Sequence, residues 1–255
     1  MAASYKARCI VLKKTKLGEA DLIVTMLSEQ GTQVKGVAKG ARKPGSKRFG
    51  ARLEPFSEVD LQLYPGRSLD TITEVRVVAS NDACRQDLEH SSACSLMAEL
   101  VAKSIAEGEA GERMFPMLSA ALRAAGGLSG PQTVLIAEAF CIKALALLGV
   151  RPALRSCALC GEPLGEPAAF DLSGGGCLCP ACAGGGSGSL DRALVPWIDA
   201  LLGSTFAQLA AVEGAPLLPL LNFTESWARE HLGLSLKTAG FLRMSFGSGP
   251  VLHSR

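Results

Sequence analysis

Apolar and polar positions alternate through the first 80 residues, and most of the chain beyond them follows a three-to-four-residue period. Tyr5 to Lys14 reads as a strand, and Lys13 to Gly18 as a polar connection. Asp21 to Leu27 is a second, β-branched run, Glu29-Gln30-Gly31 a turn, and Thr32 to Lys39 a third strand. Gly40 to Gly50 (GARKPGSKRFG) holds too much glycine, proline and charge for regular structure and reads as a basic loop. Val59, Leu61 and Leu63 alternate with Glu58, Asp60 and Gln62, which predicts a half-buried fourth strand. Tyr64-Pro65-Gly66-Arg67 makes a turn, and Leu69 to Ala79 is the fifth strand. Short strands this close together, mostly without helical patterns between them, predict a small antiparallel barrel.

Asn81-Asp82 then reads as a helix cap, after which the period becomes helical. Leu96, Met97, Leu100, Val101 and Ile105 define one apolar face. A second helix covers Met114 to Ala125, broken or begun near Pro116. Pro131 opens a third, which stops at Gly149 and presents Leu135, Ala139, Ile142 and Ala146 to a core. Helical patterns resume at Leu190 to Leu202, Ser204 to Val212 and Leu217 to Leu232. Between the two helical stretches lies a segment dense in cysteine, glycine and proline, followed by the tether Gly184 to Ser189. The expected arrangement is one helical bundle with a small module inserted between its halves.

Composition narrows the class. With 48% hydrophobic and 20% charged residues, the chain of 255 residues is globular, with room for one large or two to three small domains. Glu138 and Lys143 interrupt Val134 to Val150, so no run is expected to span a bilayer. The N-terminal residues lack an apolar core with a cleavage site, and export is not expected. Cys9, Cys84, Cys94 and Cys141 sit in apolar patterns, as reduced thiols do in a cytoplasm. Charge is uneven: residues 1 to 52 carry twelve Lys/Arg against three acids, a balance of +9, and the remainder balances at −7. Such a segment points to a polyanionic partner.

The cysteine segment carries the sharpest chemistry. Cys157/Cys160 and Cys179/Cys182 are two C-x-x-C pairs with 18 residues between them. That spacing predicts a four-thiolate site in which each pair forms a tight turn and a metal closes the loop. Soft thiolates favour zinc, with iron as the less favoured occupant. A disulfide-stapled loop or idle thiols would be the alternative. Four thiolates leave no position for a reactive water, so the expected site is structural. Cys177 is a spare beside the second pair and reads as an ordinary residue under the knuckle. His231 reads as the only one of the three histidines in a helical stretch, with a helix-terminal or interface role.

The barrel with its basic loop suggests a platform for single-stranded nucleic acid, which needs cations along phosphates and aromatic faces for bases. Lys35 and Lys39 are expected on one face of the third strand, and Arg42, Lys43, Lys47, Arg48 and Arg52 follow with one acid-free loop among them. Phe49, flanked by these cations, is the best stacking candidate, with a lid or core position as its other reading. A solvated charge run is the other reading of the loop. Such contacts give affinity without base specificity. There is no G-x-S-x-G, no phosphate loop and no H-E-x-x-H, so no catalytic machinery is expected.

These residues also carry a family resemblance. Gly18 to Asp21, Gly31, Val37 to Arg42 and Leu53 to Phe56 follow the G-E-[AS]-D, G, V-A-K-G-[AV]-R and L-[EQ]-P-F pattern of the bacterial recombination mediators of the RecO family. LLGVRPALRSCALCG, GGGCLCPAC and HLGLSLKTAGFL resemble later segments of that family in the same order. Cys177, where the family more often has an apolar or aromatic residue, and the glycine-rich run 184 to 189 depart from it. The resemblance implies an α+β multidomain protein. Residues 1–80 would form an OB-fold β-barrel that binds nucleic acid, 81–150 and 190–255 the two parts of an α-helical bundle, and 151–189 an inserted four-Cys zinc module. It implies a non-enzymatic mediator in the cytoplasm, associated with the nucleoid and not with a membrane. Such a mediator binds single- and double-stranded DNA, anneals complementary strands and, with RecR, helps RecA replace single-strand-binding protein (SSB). By the same analogy the acidic SSB tail would meet basic groups of the helical part, with Arg113, Arg123, Lys143, Arg151 and Arg155 as candidates. A metal-dependent nucleic-acid enzyme and a purely protein-binding adaptor are the competing classes.

Overall fold

The structure, a computed structural model, describes residues 3–43, 49–105, 111–184 and 191–247. Five strands form a closed barrel: β1 (Tyr5–Leu17), β2 (Asp21–Ser28), β3 (Gln33–Ala38), β4 (Glu58–Tyr64) and β5 (Asp70–Ala79). Their order around the barrel is β1-β2-β3-β5-β4. Every pairing is antiparallel except β3 with β5, which run parallel through Gly36↔Asp70 and Val37↔Thr71. The interior follows from period two: Cys9, Val11, Val24, Met26, Val59, Leu61, Leu63, Ile72 and Val75 point inward and are buried. At Gly36 the wall lies close against this filling, since a Cβ there would stand 2.7 Å from Ile72 Cγ1.

The helix α1 (Leu88–Ser104) packs against β1 and β2, and α2 (Met114–Gly126) packs against α1. That cover explains why Cys9 to Leu12 are buried in sequence, although only alternate residues of a strand can face a barrel interior. The start of α1 differs from the sequence expectation. Asn81 does not cap it; Asn81 takes a left-handed backbone (φ 47°), ahead of a short 3-10 turn at Asp82–Arg85. The cap is Asp87, whose carboxylate accepts the His90 backbone N–H at 2.8 Å. On the inner side of α2, Ser119 Oγ donates to the buried Glu58 at 2.9 Å, and Arg123 donates to Ser119 Oγ at 2.6 Å.

The chain divides into two compact units, residues 1–127 and 128–255. The helices α1 and α2 thus belong with the barrel, whereas the sequence reading grouped residues 81–150 with the later helices. The reason is the apolar face of α1, all of it buried, for which β1 and β2 supply the partner surface.

The second unit is built on α3 (Pro131–Leu147), which α4 (Val195–Gly203), α5 (Phe206–Leu209) and α6 (Leu217–Leu232) surround; α7 (Lys237–Gly247) packs on α6. Sequence periodicity assigns α3 a single apolar face, yet residues 133 to 142 are buried all round. The two-stranded sheet of β6 (Ala169–Asp171) and β7 (Gly176–Leu178) lies within the intervening segment.

One acid is enclosed in that helix. Glu138 is fully buried; its Oε2 accepts from Thr224 Oγ1 at 2.6 Å, and its Oε1 has no partner among the described residues. Burial disfavours the charged form and pushes the carboxyl up to about 7 from its ordinary 4.5, against the smaller opposing effect of the Thr224 hydrogen bond. The folded state therefore holds a proton that the unfolded chain has released above pH 4.5, so stability falls as pH rises from about 4.5 to about 7. Replacing Glu138 with Gln removes this component. Denaturant unfolding should show wild type and variant diverging across that window, by up to about 3 kcal/mol. Parallel curves would refute a buried, protonated Glu138.

Candidate metal centre and nucleic-acid interface

The two C-x-x-C pairs sit in turns that the backbone builds before any ion is considered. Gly161 N donates to Cys157 O at 2.9 Å, and Cys157 N donates to Glu162 O at 2.8 Å. Gly161, at φ 78°, supplies the left-handed residue that this turn requires. The second turn closes through Cys182 N and Ala183 N, which both donate to Cys179 O at 3.1 and 2.9 Å. Ala158 N donates to Cys177 O at 2.8 Å and ties one knuckle to the other.

The outcome is that Cys157, Cys160, Cys179 and Cys182 bring their Sγ atoms within 4.8 Å of one another. Cys160 and Cys179 Sγ are 3.8 Å apart. A tetrahedron with metal–sulfur bonds of about 2.3 Å has edges of about 3.8 Å, so the spacing suits a four-coordinate ion. The thiols are not equivalent. Backbone N–H groups of Cys160, then of Cys179, point at Cys157 and lower it to about 6, while sharing protons with the neighbouring thiols, Cys179 foremost, pushes Cys182 up to about 12. Sulfurs this close cannot all ionise unaided; a divalent cation removes the conflict. Cys177 stays outside the cluster. It lies buried in β7, paired in register with Phe170 of β6.

An aromatic brace carries this module on α6. Phe170, from β6, meets Phe223 and Trp227 with ring centroids 5.8 and 5.9 Å away, and Trp227 lies 4.1 Å from the His231 ring. Trp227 Nε1 donates to Val150 O at 2.8 Å, and His231 Nε2, as an N–H, donates to Leu172 O at 2.9 Å. On the other side Cys177 N donates to Ala153 O at 2.7 Å. Gly176 lies so close to that segment that a Cβ would stand 2.2 Å from Ala153 O. Sequence reasoning found His231 a helix-terminal place but missed the brace, because its members lie in separate segments.

The expected nucleic-acid contacts are dispersed. Lys35 is exposed on β3 opposite Thr25. Lys39 is exposed too, but β3 ends at Ala38, so strand alternation does not place the two lysines on one face. Arg42 is held against the β1–β2 turn, its backbone N donating to Ala20 O at 2.9 Å and its Nη1 to Gly18 O at 3.0 Å. Lys43 and Arg52 are exposed. Lys47 and Arg48 lie outside the described residues. Phe49 does not serve as a stacking surface: it is 2% exposed and packs in the barrel core with Leu53, Ala38 and Val59, because the barrel end needs an apolar plug.

Of the basic residues considered for an acidic tail, Arg123 bonds Ser119 (2.6 Å) and Lys143 bonds Leu202 O (2.8 Å). Arg155 pairs with Asp199 at 2.8 Å, while Arg113 and Arg151 are exposed. The Arg155 pair is mostly solvated and adds little to stability. No helix among the described residues is long and apolar enough to cross a membrane.

Comparison with known proteins agrees over nearly the whole chain. A family model described as "Recombination protein O N terminal" matches residues 1–81, and one described as "Recombination protein O C terminal" matches residues 85–239. A protein of Nocardioides sp. (strain ATCC BAA-499 / JS614), named DNA repair protein RecO, is 36% identical over 243 residues, covering 93% of this chain and 98% of its own.

Proposed function

The chain belongs to the RecO family, and from that premise we propose that it is a DNA-repair and recombination mediator that works by binding and not by catalysis. The observation that carries this reading is the excess of cations on the barrel part of the chain, twelve Lys/Arg against three acids in residues 1 to 52. Cations on a small barrel neutralise phosphates, which lowers the repulsion between complementary strands and lets them anneal without nucleotide hydrolysis. The protein binds single- and double-stranded DNA in this reading and, with RecR, promotes RecA loading on strands coated by SSB, whose acidic tail it engages. It works in the cytoplasm on nucleoid DNA. The four thiolates hold Zn2+ as a structural ion, since a filled tetrahedron offers no position for water.

Replacing Arg42, Lys43, Lys47 and Arg48 together with Ala is expected to weaken binding of a labelled oligonucleotide at moderate salt at least tenfold. It should also flatten the dependence of log K on log salt by about 3, near 0.7 per lost contact on a single strand. Unchanged affinity and slope would remove this loop from the interface. Incubating the protein with DNA and divalent metals should leave strands intact; cleavage would instead support a metal-dependent nuclease.

A further inference from the structure

A groove of about 740 Å³ opens on the barrel where β2 stops short. The β1–β2 pairing begins at Cys9↔Ser28, so Tyr5, Lys6 and Ala7 pair with β4 on one side and meet no β2 residue on the other. The start of β3 and the β4–β5 turn complete the walls with Lys35 and Arg67. Three cations, Lys6, Lys35 and Arg67, line this groove, and among the described residues no ion pair holds any of them. The one acid in the lining is Asp70, and it is already engaged: it accepts from the Tyr5 hydroxyl and, at 3.0 Å, from Gly66 N. The groove is thus cationic, with its single carboxylate used to fix a ring.

That ring is the second observation. Tyr5 is 36% exposed and lines the groove, while its hydroxyl is tethered to Asp70 across the barrel closure. An exposed aromatic held from its far end presents a face at little further ordering cost. Phe49, the aromatic that sequence favours for stacking, is buried instead. We infer that single-stranded nucleic acid enters this groove, one base stacked on Tyr5 and its phosphates met by Lys6, Lys35 and Arg67. A single strand is the form that fits, because a base in a duplex has both faces already covered. An extended acidic peptide would use the cations but not the ring.

The inference rests on the reading of the protein as a DNA binder, and the test separates the two. Wild type, a groove variant (Lys6→Ala, Lys35→Ala, Arg67→Ala), Tyr5→Leu, Tyr5→Phe and the loop variant Arg42→Ala/Lys43→Ala are titrated with a fluorescent oligothymidine over a range of salt. The groove variant should bind at least tenfold more weakly, with a salt slope lower by about 2. Tyr5→Leu should lose on the order of tenfold, and Tyr5→Phe, which keeps the ring, should lose far less. In parallel, an oligonucleotide carrying a photoreactive iodinated pyrimidine should crosslink wild-type protein at Tyr5, a readout that needs no variant to fold. If wild type binds but the groove variants match it and the crosslink maps elsewhere, the groove assignment is overturned and the DNA-binding reading stands. If wild type binds no DNA, both fail. Equal losses in Tyr5→Leu and Tyr5→Phe overturn stacking and leave an anion-binding groove that suits the peptide.

Discussion

Replacing Cys160 with Ser is expected to release the proposed zinc ion and lower the thermal midpoint of the second unit by roughly 10 °C or more. Cys160 is exposed, so an ordinary surface cysteine there could become serine at almost no cost. Its sulfur, however, stands 3.8 Å from Cys179 in a cluster of four. A hydroxyl is a poor ligand for a soft site, and three thiolates hold a tetrahedral ion much less well than four. Structural zinc sites in small peptides contribute on the order of 10 kcal/mol, and losing one ligand forfeits several of these. Cys157→Ser should act alike and add the cost of burying a hydroxyl, because Cys157 is buried. Metal content measured by mass spectrometry and melting curves with and without a chelator check both. A Cys160→Ser protein that melts as wild type and ignores the chelator would mean that no ion staples the knuckle.

Truncating Trp227 to Ala should cost about 3–5 kcal/mol in denaturant unfolding. The side chain is 1% exposed and touches the rings of Phe170, Phe223 and His231, so its removal leaves a cavity at the point where the metal module meets α6. It would also leave Val150 O, which Trp227 Nε1 reaches at 2.8 Å, without that donor. Trp227→Phe separates the two contributions, since it keeps much of the ring contact and loses the hydrogen bond, at a cost of about 1–2 kcal/mol. Equal losses in the two variants would show that the packing is not what holds the module.

The two effects are linked through Cys177 and Phe170. The four-thiol cluster brings the two knuckles together at one end of the β6–β7 hairpin, and the aromatic brace holds the hairpin's inner face. Neither the hairpin nor a knuckle buries enough apolar surface to stand alone. Glycine-rich sequence is needed there because the backbones approach closely, as Gly176 and Ala153 do.

Much of this was legible in the residues. Strand positions follow a period of two, and β1 to β5 begin and end within a few residues of where alternation and turn residues place them. Leu217 to Leu232 forms a helix with those same bounds, closed by Gly233 in the left-handed region at φ 66°. The cluster of four thiols was legible because C-x-x-C is local geometry: a tight turn aims both sulfurs at one point whatever surrounds it. Charge was legible because it is additive. Asn81 misled because Asn is at home both at caps and in left-handed turns, and here Asn81 Nδ2 donates to Phe56 O at 2.8 Å instead of capping.

By itself, then, the sequence determined where strands and helices run, which four thiols can meet and which end of the chain is cationic, since each depends on residues a few places apart. Tertiary structure alone decided that Phe49 is core and Tyr5 is surface, that α1 and α2 belong with the barrel, that Cys177 is excluded from the cluster and that Glu138 is enclosed. Burial is set by neighbours contributed from distant segments. An aromatic among cations, or an acid within an apolar run, takes its role from the surfaces that close around it.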